Sequence, residues 1–92
     1  MDIASIDILD EEKLERKHNV NPYEVEEVLL GNPRVYFVEE GNVKGEDVYL
    51  ALGQTEEGRY LAIFFIYKRN RNALVTSARD MDAKERRRYG KK

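Results

Sequence analysis

The 92-residue sequence contains no cysteine, no tryptophan and a single histidine. Without cysteine the chain cannot form a disulfide or a thiolate metal site, and one histidine cannot build a typical zinc site. Walker A, glycine-rich phosphate-loop and H-E-x-x-H motifs are also missing. These absences exclude disulfide scaffolds, P-loop NTPases and zinc hydrolases, so we expect neither a metal nor a small-molecule cofactor.

Long apolar runs are missing as well. The longest run, YLAIFFIY at residues 60–67, is much too short to cross a bilayer. The first residues lack the basic and apolar regions of a secretory signal. We therefore expect no membrane segment, and the absence of cysteine fits a reducing cytoplasm, where we expect the protein to act. A chain of 92 residues is expected to form one domain, residues 1–92.

The formal net charge of -2 conceals an uneven distribution of charge along the chain. Residues 1–48 carry 13 acidic and 5 basic side chains, whereas residues 49–92 carry 5 acidic and 11 basic ones. Six of the basic residues follow one another closely from Lys84 to the end. The basic half could attract phosphate, and the acidic half could attract a basic partner or neutralise the chain's own basic end.

The first third of the sequence predicts a strand and two helices. Residues 4–10, ASIDILD, alternate between apolar and polar, as in a half-buried strand. Asp10 is the expected cap of a helix that runs to about His18, with Asn19 ending it in a left-handed conformation. Asn21, followed by Pro22 and Glu24, predicts the start of the second helix.

From Arg34 the apolar pattern has a period of two. Four such segments are separated by short turn-rich joints, which predicts an antiparallel meander with residues 60–67 in its interior. Asp82 and Glu85 then form a capping box that opens a last helix through Tyr89. The predicted fold is α+β: a single, mainly antiparallel sheet of four or five strands, with two N-terminal helices and a short C-terminal helix.

Arg79 is the first candidate for a role in chemistry. On the strand that contains it, Ser77 and Arg79 point to one side, while Thr76 and Ala78 point to the other. A hydroxyl and a guanidinium at a strand end could bind phosphate, because the arginine fork donates to two oxygens at once. The alternative is a structural arginine paired with an acid such as Glu85.

The basic C-terminal stretch is the second candidate. Three successive arginines, Arg86 to Arg88, turn through about 200° of a helix, so at least one should face the sheet. Arg86 and Tyr89 are neighbours on that helix and could stack a base or hold phosphate, or they could seal an edge of the core. For Arg87, Lys91 and Lys92 we expect solvated positions.

Lys17 and His18 are the third candidate, at the predicted end of the first helix. Histidine is the usual general acid or base near neutral pH, and lysine can neutralise a developing negative charge. Cations at a helix C-terminus are also favoured by the helix dipole alone, so a structural role remains the alternative.

Five short segments, taken in order, resemble the BrnT-like toxins of bacterial type II toxin-antitoxin systems: KHNV, GNP, ALGQTEEGR, SARDM and ERRRYG. The resemblance spans about residues 10–90. It implies a RelE-like ribonuclease fold, cleavage of RNA without a metal, and a cognate antitoxin protein that binds DNA.

The resemblance also assigns candidate residues. It implies five catalytic residues: Lys17, His18, Arg79, Arg86 and Tyr89. Many relatives carry an arginine on the strand that reads DVYLALG here, and another where this chain has Ala73 and Leu74. Neither arginine is present, and basic residues from the turns could compensate. We therefore predict RNA-binding roles for Arg59, Arg69 and Arg71. We assign the same role to Ser77, which shares a face with Arg79, and to Glu85, which the resemblance matches to the family's E-R pair.

Two further functional classes remain open at the level of sequence. Loss of the two family arginines could leave a non-catalytic protein that still binds nucleic acid or the antitoxin. The basic face could alternatively serve protein association alone.

Overall fold

The computed structural model describes residues 1–90, so the expected solvation of Lys91 and Lys92 lies outside the described residues. The described chain forms eight elements, and their order is the one that the sequence predicts. They are β1 (Ser5–Ile8), α1 (Glu11–His18), α2 (Pro22–Leu30), β2 (Arg34–Glu39), β3 (Val48–Gln54), β4 (Tyr60–Tyr67), β5 (Asn72–Asp80) and α3 (Ala83–Gly90).

The strands form one five-stranded sheet in the order β1-β5-β4-β3-β2. The pairs β2–β3, β3–β4 and β4–β5 are antiparallel, whereas β1 lies parallel to β5 at one edge. The predicted α+β fold with a mainly antiparallel sheet is therefore confirmed. Strand β4 occupies the centre of the sheet, as its apolar sequence predicts.

Local signals explain the ends of the first two helices. The Asp10 carboxylate accepts a hydrogen bond from the Lys13 N–H at 3.0 Å, which satisfies one of the free donors of α1. Asn19 ends this helix in the left-handed region, with φ 53°. At the start of α2, the Glu24 carboxylate accepts from the Asn21 N–H at 3.0 Å. The expected capping residues are therefore confirmed at these three positions.

The two faces of the sheet are covered differently. On the α1–α2 face, the buried residues of β4 are Leu61, Ile63 and Phe65, which pack in one core with the apolar residues of both helices. On the opposite face, which we call the α3 face, Ala62 belongs to a smaller core sealed by aromatic rings and by Tyr89 of α3. Complete burial of a side chain such as Phe65 stabilises the fold by about 1.5–3 kcal/mol.

A bulge in β5 sets the direction of the candidate arginine. Phe64 pairs with Ser77, but Phe65 pairs with Val75, so Thr76 is an extra residue in the ladder. Beyond the bulge, Ala78 joins the core on the α1–α2 face. Arg79 consequently projects onto the α3 face.

Of the helices within residues 1–90, none is long and apolar enough to span a membrane.

Candidate functional site

Arg79 lies at the end of β5 and is bound to the first turn of α3. Its guanidinium donates two hydrogen bonds to the carboxylate of Glu85, at 2.6 and 2.9 Å. A third, at 3.1 Å, goes to the backbone carbonyl of Asp80. The two-pronged ion pair fixes the plane and direction of the guanidinium. The pairing of Arg79 with Glu85, which was one of the two alternatives from the sequence, is present.

Glu85 takes part both in the ion pair with Arg79 and in the N-terminal cap of α3. It accepts a hydrogen bond from the Asp82 N–H at 3.0 Å, and its own N–H donates to the Asp82 carboxylate at 2.8 Å. This is the predicted capping box of α3. Hydrogen bonding from Arg79 holds the pKa of Glu85 below its ordinary value. Because an anionic Glu85 repels phosphate and fixes Arg79, the geometry favours a positioning role; its predicted contact with RNA stays a prediction.

Helix α3 places two arginines over aromatic rings of the sheet. The Arg86 guanidinium carbon lies 3.7 Å from the centre of the Tyr60 ring, and that of Arg88 lies 3.5 Å from the centre of the Tyr36 ring. Both distances are within the range of cation–π attraction. Arg87, between them, is exposed. The prediction that at least one of these arginines faces the sheet is therefore confirmed.

Tyr89 closes the same surface. Its ring lies edge-on to Tyr60, with 6.0 Å between the ring centres, and it packs against the core of the α3 face. It also borders an open cleft of about 400 Å³ together with Arg34 and residues 32–33. The phenol is half-buried, so it seals the core edge and remains within reach of a ligand in the cleft.

Lys17 and His18 form the end of α1, as predicted. Lys17 is exposed and His18 is half-buried. Hydrogen bonding from Arg59 lowers the pKa of Asp80. The backbone carbonyl of His18 accepts a hydrogen bond from Arg59 at 2.9 Å, and Arg59 also binds Asp80, so the end of α1 lies beside the end of β5 on the α1–α2 face. Arg79, Arg86 and Tyr89 lie on the α3 face, whereas Lys17 and His18 lie at the end of α1, on the other face of the sheet. We call these five candidates, taken together, the β5-end cluster: His18, Lys17, Arg79, Arg86 and Tyr89.

Arg59 is engaged by the protein itself. Its Nε donates to Asp80 at 2.7 Å, and Nη1 donates to the buried Glu24 at 3.1 Å. The remaining donors reach the backbone carbonyls of His18 at 2.9 Å and Asn19 at 2.6 Å. A second bond to the Asp80 carboxylate, from Nη2 at 3.3 Å, brings the contacts to five, which is the number of N–H groups in a guanidinium. The geometry favours a structural clamp, and the predicted contact of Arg59 with RNA stays a prediction.

Arg69 and Arg71 lie away from the β5-end cluster. Both belong to the turn between β4 and β5, at the opposite end of these strands from Arg79. Eight residues of extended chain span about 25 Å, so a phosphate bound at Arg79 cannot touch Arg71. Arg71 is instead paired with Asp2. The structure therefore does not bring these two arginines together with the other candidates.

Ser77 shares the α3 face with Arg79, as the sequence predicts, and is half-buried. Its Cα partner in the ladder is Phe64, whose ring centre lies 5.5 Å from the Arg79 guanidinium carbon. Within residues 1–90, there is no group of three or more histidine, cysteine, aspartate or glutamate side chains that could hold a metal ion.

Sequence reasoning missed the acids that organise this region. Glu24 is recognisable as a capping residue, but its second partner, Arg59, is 35 residues away. Asp80 directly follows Arg79 and carries no local signal of its bond to Arg59. The aromatic partners of α3, Tyr36 and Tyr60, were detectable only as alternating strand residues, because the pairing depends on where α3 crosses the sheet.

The fold and the cluster define a class: a small α+β protein with cationic and aromatic side chains gathered at one end of a sheet. Residues 10–85 match the family described as "Ribonuclease toxin, BrnT, of type II toxin-antitoxin system". Because the match covers most of the chain, the protein belongs to this family, in agreement with the resemblance seen in its motifs. No curated protein matches the chain.

Proposed function

We propose that this protein is a ribonuclease toxin that cleaves RNA at the β5-end cluster without a metal ion. Membership of the BrnT family supports the class of activity. The observation that carries the assignment to this cluster is the guanidinium of Arg79, oriented by Glu85 at a strand end and on the same sheet face as Arg86. An oriented positive charge is what a reaction at phosphate needs most.

In the proposed reaction the 2′-hydroxyl of RNA attacks the adjacent phosphorus. The bond from phosphorus to the 5′-oxygen breaks, so that one product ends in a 2′,3′-cyclic phosphate and the other begins with a 5′-hydroxyl. One proton leaves the 2′-oxygen and one is given to the 5′-oxygen. Arg79 and Arg86 would stabilise the extra negative charge at phosphorus, while Lys17, His18 and Tyr89 would orient the substrate or transfer protons.

Glu85 sets a condition on this mechanism. In the structure its carboxylate occupies two donor positions of Arg79. A phosphate must either bind the remaining N–H groups of Arg79 or displace Glu85. The first route keeps the arginine oriented during the reaction, so we propose that phosphate approaches beside Glu85 and that one phosphate contacts both Arg79 and Arg86.

The test compares Arg79→Ala with Arg87→Ala, since Arg87 is exposed and belongs to the same basic stretch. In cleavage assays on labelled RNA with excess chelator, wild type and Arg87→Ala should give cyclic-phosphate products. Arg79→Ala should be slower by roughly 100-fold or more, because a preorganised charge at the transition state is lost. In growing cells it should also relieve toxicity.

The wild-type protein decides the outcome. If it gives no cleavage and no growth arrest at any salt concentration, the nuclease assignment is wrong. If it cleaves and Arg79→Ala cleaves equally well, the activity is retained but the site is wrong.

A second candidate is a non-catalytic protein that binds nucleic acid or antitoxin. It is favoured by two observations: Glu85 neutralises Arg79, and Arg59 has all its donors bound within the protein. This reading predicts RNA binding that weakens steeply with salt and yields no product. A protein whose basic face serves association alone would instead bind no RNA.

The family is defined by toxin-antitoxin systems, and we propose that this toxin acts in the cytoplasm and is neutralised by a cognate antitoxin protein. Co-expression with the product of the neighbouring gene tests this directly. Restored growth together with co-purification is expected, and restored growth without a stable complex would contradict neutralisation by binding.

A further inference from the structure

The two edge strands of the sheet, β1 and β2, differ in how well they are protected against pairing with a strand of another chain. Strand β1 is only four residues long and carries Asp7, whose carboxylate accepts from Asn72 at 3.0 Å. Strand β2 is longer, and within residues 1–90 it pairs on one side only, with β3. Phe37 and Val38 of β2 are 56% and 43% exposed. An open edge with exposed apolar residues is a surface on which another strand can pair.

The sequence of β2, RVYFVE, has an arginine at one end and a glutamate at the other. In an antiparallel pair of identical strands, Arg34 of each copy would face Glu39 of the other. This match works only if the paired side chains lie on the same face of the sheet. In a regular strand, side chains alternate between the two faces of the sheet. Arg34 and Glu39 are five positions apart and would therefore lie on opposite faces, where they could not meet.

The bulge in β2 removes this obstacle. Phe37 pairs with Tyr49 and Glu39 pairs with Val48, so Val38 is an extra residue and Glu39 returns to the α3 face. Arg34 lies on that face too, near Tyr89 of α3. The effective strand then reads the same from both ends: a charged end, an apolar residue, a central tyrosine, an apolar residue and the opposite charge.

We propose that β2 pairs with β2 of a second copy of this chain, forming a symmetric dimer with one continuous ten-stranded sheet. The two-fold axis passes through Tyr36. Val35 faces Phe37 of the other copy on the α1–α2 face, and Arg34 faces Glu39 on the α3 face. Two-fold symmetry gives each contact twice, as expected of an isologous interface. The proposal is independent of the nuclease assignment.

The dimer should be weak. A strand of six residues buries less than the roughly 800 Å² per partner of a standard interface, so we expect a dissociation constant of about 10 µM or higher. The Arg88 side chains, each above a Tyr36 ring, approach one another across the axis and offset part of the attraction. Dimer formation should therefore depend on concentration.

The test uses sedimentation of the full chain over a wide range of concentration. The wild-type mass should rise from 10.8 kDa towards twice that value. R34E and E39R should each bind themselves at least roughly tenfold more weakly, because each places like charges opposite one another at both ends of the pair. A mixture of R34E with E39R should dimerise like wild type, since every reversed end then meets an opposite charge.

Glu57→Arg is the matched control, because Glu57 is exposed in the turn between β3 and β4. It should dimerise like wild type, and far-ultraviolet circular dichroism should show all variants folded. A wild-type protein that stays monomeric throughout overturns the proposal. So do single reversals that dimerise normally, or a mixture that does not regain the dimer. If the wild-type protein is monomeric and the R34E and E39R variants no longer bind the antitoxin, the proposal is also overturned, and β2 is instead the binding surface for the antitoxin.

Discussion

Arg59 should contribute more to stability than any exposed arginine of the chain. Replacing it with alanine leaves Glu24, which is only 8% exposed, without its charged partner, and it removes the donors to the carbonyls that end α1. Breaking a fully buried ion pair costs about 3–5 kcal/mol. Glu24 keeps its bond from Asn21, and the exposed Asp80 contributes little, so we expect a loss of about 2–4 kcal/mol.

This loss is large enough to measure in thermal unfolding. In a domain of this size each kcal/mol lowers the melting temperature by about 4–8 °C, so Arg59→Ala should melt at least roughly 10 °C below wild type. Arg59→Lys keeps the charge but has only three donors, and it should fall between the two. Arg69→Ala is the matched control, because Arg69 is exposed in the β4–β5 turn, and it should change stability by less than about 0.5 kcal/mol.

Equal melting temperatures for Arg59→Ala and Arg69→Ala would refute the reasoning. That result would mean that the carbonyls at the end of α1 and the Glu24 carboxylate form hydrogen bonds with water or other donors, with no loss of stability. A large loss in Arg59→Ala with full recovery in Arg59→Lys would show that charge alone is needed and that the forked geometry is not.

Three further outcomes are expected. The pKa of Asp80 and that of Glu85 are lowered in the folded state, so their stabilisation is present above about pH 5 and is lost as pH falls through the folded pKa values. In unfolding titrations, Arg79→Met should remove the part of this acid limb that belongs to Glu85 and leave the part that belongs to Asp80, whose partner is Arg59. His18→Ala should change the melting temperature little while lowering RNA cleavage by roughly 100-fold, with loss of the pH dependence near neutrality. An equal loss of stability and activity would make His18 a structural helix end. Asn19→Gly should be nearly neutral and Asn19→Val should destabilise by about 1–2 kcal/mol, because φ is positive there; equal melting of the two would contradict this.

The elements were predictable because their signals are local. Asn21, Pro22 and Glu24 mark the start of α2 within four residues, and the eight apolar residues of β4 indicate a central strand. The parallel pairing of β1 with β5 was not predictable in this way. It depends on contacts between the two ends of the chain, and nothing in the four residues of β1 specifies the neighbour or its direction.

The site was predictable to a similar degree. The candidates at the end of β5 and in α3 share one face of the sheet, whereas Lys17 and His18 lie at the end of α1 on the other face. Their joint role in one site stays a prediction. The clamp around Arg59 was not foreseen, since it joins residues from four separate segments. The bulges in β2 and β5 also escaped detection, because a strict alternation of residues contains no mark of an extra residue.

The position of β5 between β1 and β4 has a consequence for the synthesis of the protein. Ser5 lies beside Asn72, 67 residues later in the chain, so the first strand has no place in the sheet until the fifth has left the ribosome. Such non-local pairing slows folding, because the entropy of closing a long loop is lost before the contacts between the strands can stabilise the structure. Arg79, Arg86 and Tyr89 of the β5-end cluster also belong to the last part of the chain. During synthesis, the acidic N-terminal half is therefore complete long before the cationic site can assemble.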